Sequence, residues 1–242
     1  MSKILRKALK HYANDGLLKL LHQGPPYIYN QYIRRHLPSQ TVTFNGVRVP
    51  ANHWLDQSMS FANNFSDDPN YEKALIESLK ENVEPGDKVV IVGGGWGVSA
   101  VVAAKQVGER GEVVVYEGSR EYVEYIKKTI DINDVSQIVS VQPKVVAHAV
   151  TLRGNEGQTG QIHPEKLPGC DVLEMDCEGA ELEILRQLEM SPRLIIVETH
   201  EVYDSPEPEI RTELTRLGYE VIKRGVEDKQ NGVIVLTAIR TV

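Results

Sequence analysis

Short apolar runs and longer amphipathic stretches alternate along the second part of the chain. Five runs of four or five residues, mostly apolar and β-branched, have the composition of strands buried on both faces of a parallel sheet. These predicted strands are residues 89–92, 112–116, 138–141, 171–175 and 194–197. The stretches between them carry apolar residues at helical spacing and predict helices over residues 98–107, 120–132 and 180–188. The alternation of strand and helix is typical of a doubly wound α/β sheet.

An Asn-Gly turn near the end of the chain changes this alternation. A helix is predicted over residues 207–217, and strands follow at 219–223 and 232–238. Asn231-Gly232 lies between these two strands, and this dipeptide favours a tight hairpin. We therefore predict that the last strand returns antiparallel, so that the sheet is mostly but not wholly parallel.

The first 70 residues follow a different pattern. Residues 4–21 place apolar side chains at helical spacing between lysines and arginines, which predicts a basic amphipathic helix. A second, short helix is predicted over residues 27–36, and Asn45-Gly46 separates two alternating runs that predict a β-hairpin. Residues 51–70 are polar and rich in Asn, Asp and Ser, which is typical of a loop or a lid.

This change of pattern predicts two parts of the chain. Residues 1–70 form an N-terminal extension of helices, hairpin and lid-like loop, and residues 71–242 form the α/β domain.

Charge is unevenly distributed between these parts. The 242 residues carry a formal charge of −7, yet residues 1–36 hold seven basic residues against the single acid Asp15, a net +6 that leaves −13 for the remainder. The overall charge argues against non-specific binding of nucleic acid. The basic helix is expected to pack on the domain or on a second subunit of a homo-oligomer, with peripheral contact to a membrane surface as the alternative.

Membrane spans and disulfides are not expected. No apolar run approaches the roughly 20 residues that a transmembrane helix needs, and the start lacks the apolar core and cleavage site of a signal peptide. Cys170 and Cys177 flank one predicted strand and lie roughly 23 Å apart if that strand is extended, beyond the reach of a disulfide. We therefore expect a cytoplasmic protein.

A glycine-rich loop after the first predicted strand is the strongest candidate for a binding site. Gly93, Gly94, Gly95 and Gly97 allow the backbone to approach a ligand, and the following helix points its N-terminus at that ligand. Glu117 ends the second strand, about 20 residues beyond the glycines, where a carboxylate commonly accepts hydrogen bonds from a ribose diol. The combination predicts an adenosine-bearing cofactor, although an ordinary strand-to-helix turn would also use glycines.

Three further residues complete the predicted cofactor site. Trp96 lies in the glycine loop, Gly118 follows the ribose-binding acid, and His148 follows the third strand, where an adenine edge can be met. A strict G-x-G-x-x-G fingerprint is absent, because counting from Gly93 places Val98 at its last position. This departure favours a methyl-donor loop over a dinucleotide loop.

Acidic and imidazole side chains follow the fourth and fifth predicted strands. They are Asp176, Glu178, Glu198 and His200, and the carboxyl ends of parallel strands meet at one crevice. Asp176 and Glu178 are candidates for holding an ammonium group, acting as a base or capping the next helix. His200, with an ordinary pKa near 6.5, is the best candidate for a proton acceptor, and a structural role is the alternative. No zinc spacing is present and no metal site is assigned, but a hard-cation site at Asp176, Glu198 and His200 stays open.

The motif DVLEMDCEGAELEIL at residues 171–185 resembles the fourth-strand motif of FkbM-type methyltransferases, a class I S-adenosylmethionine-dependent group. EPGDKVVIVGGGWG and IIVETH resemble the same family's glycine loop and fifth strand. The resemblance implies a Rossmann-like sheet of seven strands, methyl transfer usually to oxygen, and S-adenosylmethionine bound by Gly93, Gly95, Gly97 and Glu117. Ile91 departs from the family, which usually has an acid there, and Gly95 replaces its Asn.

These observations together predict an S-adenosylmethionine-dependent O-methyltransferase. The expected acceptor is a hydroxyl on a small molecule, a sugar or a lipid. A nicotinamide-dependent oxidoreductase and a non-catalytic cofactor-binding protein of the same fold are the alternatives.

Overall fold

A computed structural model describes residues 28–58, 65–147, 160–203 and 205–241. The described chain forms two compact units, one from the described parts of residues 1–42 and 50–66, and the other from those of residues 43–49 and 67–242. The helix predicted over residues 4–21 lies outside the described residues. No helix in the described ranges is long and apolar enough to cross a membrane.

The strands agree closely with the predicted pattern. In chain order they are β1 (Ser39–Phe44), β2 (Val47–His53), β3 (Lys88–Val92), β4 (Glu112–Tyr116), β5 (Val139–Gln142), β6 (Lys144–Val146), β7 (Gly160–Ile162), β8 (Val172–Met175), β9 (Leu194–Thr199), β10 (Tyr219–Asp228) and β11 (Val233–Arg240). The α-helices are α1 (Lys73–Asn82), α2 (Val98–Val107), α3 (Arg120–Ile132), α4 (Glu181–Arg186) and α5 (Glu207–Arg216).

Seven of these strands form the central sheet of the second unit, in the order β10-β11-β9-β8-β3-β4-β5. Strands β3, β4, β5, β8 and β9 run parallel, whereas β11 is antiparallel to both β9 and β10. The predicted mostly parallel seven-stranded sheet and its antiparallel last strand are both confirmed. The chain crosses from β3 to β4 on one side and reaches β8 on the other, so the switch point of strand order lies beside β3.

Burial explains why the central strands lack polar alternation. Val89, Val90 and Ile91 of β3 are fully buried, because helices cover both faces of the sheet. On one face Val90 belongs to a core cluster with Ile184 of α4 and Leu214 of α5. Helices α1 and α2 contact each other, and α1 also contacts β9, β10 and β11. The rigid sheet therefore presents its strand ends, and the loops that follow them, at defined positions.

The first unit and the hairpin differ in detail from the sequence pattern. Tyr29–Ile33 is a π-helix followed by a 3-10 helix at Arg34–His36, in place of one regular helix over residues 27–36. The side chains of Tyr29 and Arg34 both bond the buried Asp56, which favours this local geometry. Strand β2 also continues to His53, into the stretch expected to be loop.

A short parallel pair was not predicted. Strands β6 and β7 pair from Lys144↔Gly160 to Val146↔Ile162, so the second half of the expected long connection over residues 151–169 contains a strand. Three residues are too few to show an alternating pattern, and the pairing depends on partners that are distant in sequence.

Candidate functional site

The glycine loop leaves β3 and turns directly beneath the end of β8. The N–H of Gly93 donates to the carbonyl of Tyr116 at 2.9 Å, and the N–H of Asp176 donates to the carbonyl of Val92 at 2.9 Å. Gly93 has φ +92°, and a β-carbon on it would lie 1.8 Å from the carbonyl oxygen of Asp176. Only glycine can therefore occupy position 93, where the backbone of the loop passes against the backbone of Asp176. This close approach brings the loop and the fourth-strand motif into contact.

Glu117 is built into the wall of the same loop. Its carboxylate accepts the N–H of Gly94 at 3.0 Å through Oε2 and the N–H of Ser119 at 2.6 Å through Oε1. Burial raises the pKa of Glu117, and the hydrogen bonds from backbone N–H groups oppose this rise. Backbone N–H groups of Gly94, Gly95 and Ser119 use part of the roughly four lone-pair positions of this carboxylate, and the remaining capacity is available to a hydroxyl of a ligand.

A cleft of about 660 Å³, measured to its open mouth, lies over the ends of β3, β4 and β8. The predicted site residues that line it are Gly93, Gly95, Glu117, Gly118, Asp176 and Glu178. The structure therefore brings residues from three strand ends to one cleft, at the switch point of the sheet.

Other predicted cofactor residues lie behind this lining. Gly94 supplies a backbone N–H to Glu117, and Gly97 precedes α2 with φ +83°. The ring of Trp96 packs against Tyr125 with centroids 4.6 Å apart. His148 lies outside the described residues, so its predicted contact with adenine stays a prediction.

Asp176, Glu198, His200 and Glu181 form a cluster beside the cleft. Nε2 of His200 lies 3.1 Å from Oε1 of Glu198 and 3.6 Å from Oδ1 of Asp176. Its Nδ1 lies 3.4 Å from Oε1 of Glu181. Glu181 is completely buried and accepts the backbone N–H groups of Cys177 at 3.0 Å and of Gly179 at 2.9 Å. One imidazole is therefore surrounded by three carboxylates.

This environment corrects the protonation state expected for His200. Burial alone would lower its pKa, but the contacts with Glu181 and Glu198 and the charge of Asp176 outweigh burial and raise the pKa to about 10. Burial also tends to raise the pKa of Glu181, but the bonding with His200 lowers it overall. His200 is consequently an imidazolium near neutral pH in this state, whereas its ordinary pKa would leave a neutral proton acceptor.

Glu178, a candidate helix cap, differs in its surroundings from the nearby Glu181. Glu178 has φ +51°, lines the cleft, and its charge contributes to the raised pKa of Glu117. Positive φ in a non-glycine residue is unfavourable and is often retained at functional sites. The side chain of Glu181 holds the turn before α4 rather than the cleft.

Several residues that line the cleft were not predicted from the sequence. Glu72 precedes α1, Tyr122 lies in the first turn of α3, and Lys144 begins β6. Glu72 and Tyr122 belong to helix starts rather than strand ends, so the rule that identified the other residues could not find them, whereas Lys144, two residues after β5, was overlooked. Together with Asp176, the acids Glu72 and Glu178 give the lining of the cleft a strongly negative charge.

Glu174 was also not predicted. It lies beside Ile91, the position at which this chain lacks the acid that the family usually has. It is fully buried in β8 and pairs in register with Ile91 of β3, the position at which the family usually has an acid. Burial first, and then the charges of Asp176, Glu72 and Glu198, raise the pKa of Glu174 well above its ordinary value. A carboxyl group thus remains close to this position, on the neighbouring strand.

Family profiles match two adjacent parts of the chain. Residues 42–161 match the protein-L-isoaspartate(D-aspartate) O-methyltransferase family, and residues 159–221 match the methyltransferase FkbM domain. The second range includes the whole carboxylate and imidazole cluster. No curated protein matched the chain. The two matches favour methyl transfer over the nicotinamide-dependent alternative.

Solved methyltransferases share the fold at low sequence identity. The ribosomal protein L11 methylase of Lactobacillus delbrueckii subsp. bulgaricus has a TM-score of 0.53 at 15% identity, covering 77% of this chain and 93% of that one. A precorrin-6y C5,15-methyltransferase of Geobacter metallireducens has a TM-score of 0.50 at 15% identity, with coverages of 77% and 96%. An S-adenosylmethionine-dependent O-methyltransferase of Thermotoga maritima has a TM-score of 0.50 at 15% identity, with coverages of 71% and 66%.

These likenesses establish a common Rossmann-like sheet but not a common substrate. The family matches indicate the reaction, since both families transfer methyl groups from S-adenosylmethionine. The chain therefore belongs to the S-adenosylmethionine-dependent methyltransferases, and S-adenosylmethionine is its cofactor.

Proposed function

We propose that the cleft binds S-adenosylmethionine and that the enzyme methylates a hydroxyl oxygen of a small-molecule, sugar or lipid acceptor. The convergence of Gly93, Glu117 and Asp176 in one cleft carries this proposal. Gly93 lets the glycine loop lie directly against the backbone of Asp176, and Glu117 keeps lone-pair capacity for a ribose hydroxyl.

The charge of the cleft supports a cationic donor. Glu72, Asp176 and Glu178 line it, and Lys144 is the basic residue of its lining. When bound, the cofactor supplies an activated methyl group on a sulfonium, next to an ammonium group. Opposite charges in a partly desolvated cleft attract strongly, so carboxylates at this end favour the methionine portion.

Methyl transfer to a hydroxyl needs an aligned oxygen and an exit for its proton. The oxygen forms a bond with the methyl carbon while the carbon–sulfur bond breaks, and S-adenosylhomocysteine and a methyl ether are the products. Asp176 lines the cleft and lies next to Glu198 and His200. We assign Asp176 to holding the acceptor hydroxyl and taking its proton, and Glu178, Glu198 and His200 to orienting it. Alignment of the reacting atoms supplies much of the rate.

Calorimetry with S-adenosylhomocysteine tests the cofactor site. Replacing Glu117 by Gln should weaken binding about 10- to 100-fold, because hydrogen bonds to a charged group contribute about 1.5–3 kcal/mol. Glu112→Gln is the matched control, since Glu112 is an exposed acid at the opposite end of the same strand. Equal affinity of the Glu117→Gln variant and the wild type would contradict the assignment of Glu117.

Incubation of the protein with a fractionated extract and S-adenosylmethionine that carries a labelled methyl group tests the class of acceptor. A methyl ether keeps its label in mild alkali, whereas a methyl ester loses it as methanol. We expect label that is stable to alkali in a fraction of small molecules, sugars or lipids. Label released by alkali, or found in nucleic acid, would contradict the proposed acceptor while leaving methyl transfer intact.

A further inference from the structure

Three side chains at the ends of β8 and β9 offer ligand atoms to one point. Asp176, Glu198 and His200 each present one such atom, and the three lie within 4.8 Å of one another. The His200 nitrogen is 3.1 Å and 3.6 Å from the two carboxylate oxygens. Ligand atoms bound at about 2.0–2.2 Å from a common ion lie roughly 3–3.6 Å apart, so these separations suit an ion between them.

A buried oxygen of Glu198 independently indicates a place for a ligand. The Glu198 side chain is only 9% exposed. One of its oxygens faces His200, but the other, Oε2, is buried and has no hydrogen-bond partner among the described residues. An unsatisfied buried carboxylate oxygen is costly, and buried charges are normally paired or bound to a metal.

The charge of the cluster leads to the same conclusion. Asp176, Glu181 and Glu198 supply three carboxylates around the single imidazole of His200. Among these four groups, even a fully charged imidazole leaves an excess of two negative charges. A divalent cation would compensate this excess.

Glu181 orients the imidazole as a metal ligand would require. It faces Nδ1 of His200, so it can accept the Nδ1–H and leave Nε2 to face Asp176 and Glu198. Histidine ligands commonly donate their second ring N–H to a carboxylate, which fixes the tautomer and ring orientation. Glu181 is itself held by the backbone N–H groups of Cys177 and Gly179, so it serves as a positioning residue.

We propose that Asp176, Glu198 and His200 bind one divalent metal ion beside the cofactor cleft. Carboxylates suit Mn²⁺ and Mg²⁺, and an imidazole favours transition metals, so the mixed set fits Mn²⁺ or another first-row ion. Three protein ligands leave open positions, which is typical of a site that also binds substrate.

The role of this ion rests on the proposed methyl transfer and adds a step to it, because the ion would lie beside the acceptor. Asp176 belongs both to the cluster and to the lining of the cleft, so the ion lies at the end where the acceptor is expected. A divalent cation there would hold the acceptor oxygen and lower the pKa of its hydroxyl, which favours transfer of the proton to Asp176. The oxygen then accepts the methyl group, and S-adenosylhomocysteine leaves. The acceptor class is thereby narrowed to molecules with an oxygen that can bind a metal.

Titration of the metal-free full chain with Mn²⁺, followed by electron paramagnetic resonance of the free ion and by calorimetry, tests this site. We expect one Mn²⁺ per wild-type chain. Asp176→Asn and Glu198→Gln should each bind at least ten-fold more weakly. Glu201→Gln is the control, because Glu201 is an exposed acid next to His200 and should leave Mn²⁺ affinity unchanged.

Thermal unfolding with and without Mn²⁺ separates loss of ligands from misfolding. A folded Asp176→Asn variant should lose most of the rise in Tm that Mn²⁺ gives the wild type. Absence of Mn²⁺ binding to the wild type, or equal binding by the ligand variants, would overturn the proposal. S-adenosylhomocysteine binding measured in EDTA tests the cofactor site separately, so either proposal can fail while the other holds.

Discussion

Gly93 and Asp176 meet through their backbones, so closely that a β-carbon at residue 93 would lie 1.8 Å from the Asp176 carbonyl oxygen and 2.6 Å from its carbonyl carbon. The crossing joins the glycine loop to the fourth-strand motif, and both line the cleft. The cleft therefore depends on the absence of a side chain at this position.

Gly93→Ala should consequently damage both stability and cofactor binding. Positive φ costs an alanine about 1–2 kcal/mol, and overpacking adds about 1–3 kcal/mol. Gly86→Ala is a matched control, because Gly86 has φ +93° but nothing within 4 Å of an added β-carbon. Urea unfolding should show the smaller loss in Gly86→Ala, with S-adenosylhomocysteine affinity unchanged. Equal losses in the two variants would show that the close approach to Asp176 is unimportant.

Glu227 should stabilise α1 from a distant strand. Glu72, which precedes the helix, makes no side-chain cap, whereas the Glu227 carboxylate accepts the N–H groups of Lys73 at 2.8 Å and Ala74 at 2.7 Å. Losing such a cap costs about 1–2 kcal/mol, so Glu227→Ala should lower the free energy of unfolding by that amount. Urea denaturation measures it, with Glu220→Ala, an exposed acid on the same strand, as the control. A decrease in the free energy of unfolding of less than half the expected value would argue against capping by Glu227.

Asp56 should make the first unit sensitive to acid. Its buried carboxylate accepts the Tyr29 hydroxyl at 2.5 Å, the Arg34 guanidinium at 2.9 Å and the His53 N–H at 2.7 Å. Burial tends to raise the pKa of Asp56, but these hydrogen bonds, that of Arg34 first, lower it overall. The folded pKa lies below the unfolded value of about 3.9, so the stabilisation is complete well above pH 4 and is lost as pH falls through the folded pKa.

Asp56→Asn should therefore destabilise this unit by about 3 kcal/mol near neutral pH. The difference from the wild type should shrink as the pH falls below 4. Hydrogen exchange of peptides within residues 28–58 measures the local effect, and Asp134→Asn, at an exposed acid in the second unit, is the control. A difference that stays constant from pH 7 to pH 3 would be incompatible with a charged Asp56.

The two free cysteines should react slowly in the folded protein. Burial, followed by the charge of Asp171, raises the pKa of Cys170 to about 12. Burial and the charge of Glu181 also raise the pKa of Cys177. Because the thiolate is the reactive form, labelling of Cys170 at pH 8 should be about a thousand-fold slower than for an ordinary thiol of pKa near 8.5, and labelling of Cys177 should also be slow. A disulfide-exchange reagent measures this rate, and denaturant should release both thiols at once. Rapid labelling without denaturant would contradict the raised pKa values.

Local patterns in the sequence determined the sheet and the position of the cleft. Strand β3 and helices α2 and α3 begin and end within a residue of the predicted bounds, because buried parallel strands and amphipathic helices have distinct apolar periods. Gly93 and Glu117 were identified by their place at strand ends, and parallel strands bring such ends together whatever the remaining contacts are.

Only the tertiary structure decided which side chains meet across these elements. Glu174 faces Ile91 from the neighbouring strand, and Glu227 reaches Lys73 across 154 residues of sequence. The pKa of His200 follows from carboxylates on three separate segments, so its own sequence position could not reveal it. Helical and strand periods are properties of consecutive residues, whereas burial, pairing and pKa depend on the distances between groups that the completed fold brings together.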